Sequence, residues 1–333
     1  MTIGASIFYI FLVVAIALIF WRIRTNPITQ IRDGVINDDI RKVRQSLEKG
    51  VNVDVEVFGG TPLYLAVSAG NQEMVKFLVN RGADINQGLN EENGKNPLLE
   101  AAVENHPELV EFFLARGAIV GIHFAALTGD IDAVRNFIEQ KVFINPNRWG
   151  KTPLNLAIKG GHKEIVSLLL DNGADISFYS MGGRPLDCAI RYNRLEIAEF
   201  LIERGANINY HNGSHPLRLA ISQNKLEMVE LLFRKGVDIN SFYPLHLAAS
   251  EGHLDIAKFL LANGFKINAR DKDGTTPLHL AASKDCLEMT ELLIRNGAEV
   301  NSISWFGLST PLAVAQELGY EEMANLLKSY GAK

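Results

Sequence analysis

From Ile3 to Trp21 the chain is an unbroken apolar run, and no charged residue occurs between Met1 and Trp21. A helix over this stretch is roughly 28 Å long, close to the roughly 30 Å hydrocarbon core of a bilayer. A cleaved signal peptide has a basic start and a shorter apolar stretch of about 7–15 residues. Here there is no basic start, and cutting at Ala15-Ile16-Ala17 leaves Leu18, Ile19, Phe20 and Trp21 exposed. A core helix of a globular domain shows a polar stripe, which this run lacks. The pattern therefore predicts a transmembrane helix over residues 3–21, with a basic flank over 22–25. Arg22, Arg24, Arg32, Arg41, Lys42 and Arg44 follow the run and no Lys or Arg precedes it. That asymmetry predicts a single-pass protein with Met1 outside and the rest cytoplasmic.

Beyond residue 25 the pattern changes. Eight of the eleven prolines (Pro62, Pro97, Pro153, Pro185, Pro216, Pro244, Pro277 and Pro311) are followed directly by Leu. Several are preceded by a capping residue, namely Thr61, Asn96, Thr152, Thr276 or Thr310. A Thr or Asn N-cap with Pro at the first helical position predicts a helix start. Small residues such as Ala66, Ala101, Ala157, Ala220 and Ala248 then allow a neighbouring helix to approach closely. A second helix follows a short turn, at Gly70, Gly161 or Gly252 for example, with apolar residues at i, i+3 and i+4, as in Val75, Leu78 and Val79. It ends at a glycine suited to the left-handed C-cap. These glycines recur at intervals of 28 to 35 residues, apart from one gap of 56. That gap hides an extra repeat from Gly121 to Asn145, in which Lys141 replaces the capping glycine. About ten repeats of near-33-residue period result.

The segments Thr276 through Ala282 (TPLHLAA), Gly252-His253 and Gly82 through Asn86 (GADIN) resemble the signature of the ankyrin-repeat family. The resemblance covers about residues 26 to 333. It implies an all-α ankyrin-repeat solenoid of about ten helix-turn-helix repeats with β-hairpin loops, here preceded by one transmembrane helix. Residues 26–53 read as a degenerate N-terminal capping repeat, 54–301 as ankyrin repeats and 302–333 as a C-terminal capping repeat. The repeat at 121–145 lacks a hairpin. Glu321, Glu322, Asn325 and Lys328 are expected on the polar outer helix of the last repeat.

Composition narrows the function. With 33 basic and 38 acidic residues the net charge is −5, which speaks against nucleic-acid binding through a basic surface and favours a partner with a basic patch. Two cysteines supply neither a disulfide framework nor a three-thiolate zinc site. No phosphate-cradling glycine loop or His-Glu-x-x-His motif is present. The resemblance gives His246 and His279, with His123 beside them, a turn-bracing role, and His162 and His253 read as structural. His211 and His215 lie in an expected loop without a further ligand, so no metal is expected. Cys188 is expected to be buried and inert, with Cys286 more exposed. Asn212-Gly213-Ser214 is a formal glycosylation sequon that matters only in a reversed topology. No catalytic residue, cofactor or enzymatic activity is expected.

By the same resemblance, partners bind at hairpin tips and inner helices, which form a concave groove. The tips here carry Arg148, Trp149, Phe178, Tyr179, Tyr210, His211, Phe242, Tyr243, Trp305 and Phe306. Exposed Trp, Tyr and Arg dominate binding hot spots. Aromatics just before a hairpin glycine (Phe58, Trp149 and Phe306) instead favour packing on the next finger. The expected function is a membrane-tethered protein-binding scaffold or adaptor. The alternatives are an exported periplasmic or lumenal binding protein, or the substrate-recognition subunit of a separate enzyme.

Overall fold

The structure is a computed structural model that describes residues 26–57, 59–88, 95–145, 151–180, 183–210, 215–239, 242–305 and 309–333. The expected span at 3–21 and its flank at 22–25 lie outside the described residues. Among the described residues no helix is long and apolar enough to cross a membrane.

The chain divides into two compact units, Met1–Ala174 and Asp175–Lys333. Each contains five antiparallel helix pairs among its described residues. The first unit holds α1 (Pro27–Ile36) with α2 (Ile40–Glu48), α3 (Pro62–Ser68) with α4 (Gln72–Asn80), and α5 (Pro97–Val103) with α6 (Pro107–Leu114). It continues with α7 (Ile122–Thr128) and α8 (Ile131–Glu139), then α9 (Pro153–Gly160) and α10 (Lys163–Asp171). The second holds α11 (Pro185–Arg191) with α12 (Leu195–Glu203), α13 (Pro216–Ser222) with α14 (Leu226–Arg234), and α15 (Pro244–Glu251) with α16 (Leu254–Ala262). Its last pairs are α17 (Pro277–Ser283) with α18 (Leu287–Arg295) and α19 (Pro311–Glu317) with α20 (Glu321–Ser329).

Local chemistry explains each pair. Thr61, Asn96, Thr152 and Thr310 accept a hydrogen bond from the backbone N–H three residues on, and Pro occupies the first helical position. Thr276 forms a capping box with His279: its backbone N–H donates to His279 Nδ1 at 3.2 Å, and its hydroxyl lies 2.8 Å from the same nitrogen. Between the helices of every pair one residue has positive φ. It is Gly in five repeats and Asp38, Asn105, Asn193, Asn224 or Asp285 in the others, residues that tolerate the left-handed region. Lys141, with φ of 57°, adopts the conformation that glycine supplies elsewhere at the end of the outer helix.

The core lies between layers. Ala66, Ala101, Ala157, Ala189, Ala220, Ala248 and Ala281 on the inner helices are fully buried, as are Val75, Leu78, Val166 and Leu169 on the outer ones. Glu321, Glu322, Asn325 and Lys328 are exposed on α20.

The expected β-hairpin loops are reduced. Among the described residues no strand forms, and only the isolated bridges Val57–Gly60 and Ser180–Gly183 remain. Each of these two fingers closes on a single bridging pair, too short for a ladder. The stretches that follow successive outer helices are joined by side-chain bonds to backbone instead. Asn86 accepts from Ile119 N at 2.8 Å, Asn209 from Asp238 N at 2.7 Å and Asn268 from Glu299 N at 2.9 Å.

Candidate protein-binding surface

Of the expected tip residues, Arg148, Trp149, His211 and Phe306 lie outside the described residues, as does Phe58. Tyr179, Tyr243 and Trp305 are 54%, 45% and 65% exposed, whereas Phe178 and Phe242 are half-buried. Trp305 is also held in place: its backbone N–H donates to Asp273 O at 3.0 Å. Its indole lies against Gly274, where φ is +73° and a Cβ would come within 2.7 Å of the ring. Phe242 stacks at 5.1 Å on His215, and Tyr243 at 5.1 Å on His246.

Tyr210 departs from the expectation of an exposed tip, since it is buried. Its phenol donates to the fully buried Asp187 carboxylate. Burial, then the Asp187 charge, push that phenol far above its ordinary range. Arg184 stands 4.2 Å over the Tyr210 ring and 5.5 Å over the Tyr179 ring, a cation–π arrangement. Asp187 Oδ2 also accepts from Arg184 N at 3.0 Å, which caps α11.

Asp187 was not singled out by the tip pattern, yet its signal is present. It is the third residue of the Pro-Leu-x start, where His246 and His279 stand in later repeats. Those histidines reach Thr275 O at 2.9 Å and Ser309 O at 3.0 Å in the following finger, so this position is a brace between repeats. Burial lowers the pKa of both histidines. It lowers that of His123 to about 4, against a hydrogen bond with the Lys151 backbone. His162 Nε2 meets Leu127 O at 3.0 Å, and His253 Nε2 lies 3.2 Å from Glu251. The rings of His123, His162, His246 and His279 link neighbouring repeats, whereas that of His253 pairs within its own turn.

Cys188 is buried; Cys286 is half-buried, its thiol pKa raised first by burial and then by Asp285. His215 is buried at the start of α13. Among the described residues no group of three or more His, Cys, Asp or Glu side chains is arranged to hold a metal. What the fingers offer is exposed aromatic and cationic surface on a rigid support, the chemistry of protein recognition.

Repeated helix pairs joined by short fingers, with braces from α11, α15 and α17 to the finger that follows, define a helical solenoid. The family model for ankyrin repeats (three copies) matches residues 34–121, 122–212, 185–243, 217–304 and 245–333. The chain belongs to the ankyrin-repeat family, and ankyrin repeats imply a protein–protein interaction scaffold. The human ASB11 ankyrin repeat domain superposes with a TM-score of 0.56 and 26% identity, over 65% of this chain and 99% of that one. The ankyrin repeat and KH domain-containing protein mask-1 of Caenorhabditis elegans is 31% identical over 166 residues, 47% of this chain. Human transient receptor potential cation channel subfamily A member 1 is 32% identical over 168 residues, 44% of this chain. The chain spans only 6% and 15% of the length of these two relatives.

Proposed function

We propose that this protein is a membrane-tethered adaptor without chemistry of its own. The apolar segment at 3–21 holds the repeats on the cytoplasmic side of a membrane, where the fingers and inner helices bind a protein partner. The observation that carries the tether is the uncharged run from Ile3 to Trp21 with Arg22 and Arg24 directly behind it. Tyr179, Tyr243 and Trp305, exposed on alternate fingers of the second unit, support the binding surface. Tethering raises the effective concentration of the repeats at the bilayer, so a modest affinity suffices to recruit a partner.

The test is protease treatment of sealed vesicles carrying the full-length protein with a tag after Lys333. Digestion from the cytoplasmic side, with the first segment retained in the mature chain, agrees with the proposal. A protected tag, or a chain lacking the first segment, overturns it and favours an exported binding protein.

A further inference from the structure

A second apolar surface lies on the first unit. Along α6 a groove of about 460 Å³ opens between the third and fourth helix pairs. Its walls include Ala102, His106, Val110 and Leu114 on one side and Phe124 and Thr128 of α7 on the other. Contact between the outer helices α6 and α8 is marginal, so they do not cover it. Leu114 is 42% exposed at one end.

The repeats flanking the groove break the pattern in a second way. The residue two places after the glycine that ends an outer helix is polar in eight repeats, as at Asn52, Asp84, Asp175 and Glu299. In these two adjacent repeats it is Ile119 and Phe143, which are 53% and 68% exposed. The same stretch has lost its finger, since α7 begins five residues after Gly117. Gly121 stands where other repeats carry the Asn that joins fingers. Large apolar side chains left in water on neighbouring repeats mark an interface.

The charge around the groove selects its occupant. Glu111 lines it, and Glu104 and Glu108 adjoin its lining residues Asn105 and Pro107 in sequence; all three are exposed, and no cation pairs with them among the described residues. Arg116 is turned onto the Phe112 ring, 3.7 Å away. The eight residues of α6 span about 12 Å, the length of two turns of a docked helix. We infer that this groove binds a short amphipathic helix of a partner protein, with apolar anchors at i, i+3 or i+4, and i+7, and Lys or Arg along its edge. The contact is small, which suits a reversible interaction.

The probe is a fluorescent helical peptide of about 14 residues, with leucines at that spacing and lysines on its other face, titrated into the full-length protein. Its counterpart carries Glu in place of Lys. The expected result is saturable binding of the lysine peptide only, weakened about tenfold or more by Leu114→Glu and less by Leu114→Ala and Glu111→Lys. The circular-dichroism melt serves as the folding control. Leu114 is partly exposed, so both variants fold, and Leu114→Ala decides the matter if Leu114→Glu melts early. Failure of the lysine peptide to bind, equal binding of the Glu peptide, or indifference to both Leu114 variants overturns the inference. So does self-association of the unliganded protein, or attachment to anionic vesicles, that Leu114→Glu abolishes; a second copy or a lipid surface is then the occupant. None of these outcomes depends on the finger aromatics.

Discussion

Tyr210 and Asp187 show how a buried polar pair substitutes for a histidine brace. The phenol closes over a carboxylate that has no access to solvent, and Arg184 covers the ring. Tyr210→Phe removes one bond from a buried anion, so it costs about 1–3 kcal/mol, read as a lower urea midpoint. The histidines add a pH dependence. In the folded chain His123, His246 and His279 have pKa values below the ordinary 6.5, His123 at about 4. The unfolded chain takes up these protons first, so their contribution is complete above about pH 6.5 and declines as pH falls toward about 4. Urea midpoints measured between those limits should fall with acidity, and His123→Ala should flatten the decline.

At the scale of elements, left-handed residues set where helices end. Lys141 holds a positive φ that carries a side-chain penalty glycine lacks. Lys141→Gly should therefore stabilise the fold by about 1 kcal/mol, seen as a higher melting temperature. The missing finger before α7 has a second consequence. Lys151 Nζ meets Glu100 Oε2 at 2.6 Å, although 51 residues separate them, and Glu100 is buried on α5. Lys151→Ala leaves that carboxylate without its cation. The lysine is partly solvated, so the expected loss is about 1–3 kcal/mol in chemical denaturation. Helix starts and the ten helix pairs were legible because Pro-Leu and glycine signals are local. The Glu100–Lys151 pair was not, because it depends on a neighbouring repeat having lost its finger.

For the whole molecule, the repeats and the apolar segment make separable contributions. Deleting residues 1–25 should leave the helical circular-dichroism signal of the repeats unchanged. The same deletion should shift the protein from the floating liposome fraction to the soluble one in a flotation gradient. A protein that still floats would locate membrane attachment in the repeats themselves. Of the candidate surface, aromatic tips could be read from the sequence but their exposure could not. Tyr210 and Tyr179 both end a finger segment, yet one is sealed under Arg184 and the other is half in water.

The sequence alone determined the family, the approximate number of repeats, the helix-start signals and the bracing histidines. Each of these rests on residue choice within a window of a few positions: proline after a cap, glycine or asparagine at positive φ, alanine where helices meet. Tertiary structure decided which side chains reach water and which surface is left uncovered. The Tyr210–Asp187 contact, the Lys151–Glu100 pair and the groove along α6 all join residues from different repeats. Their geometry follows from how successive helix pairs stack, which the residues of no single repeat specify.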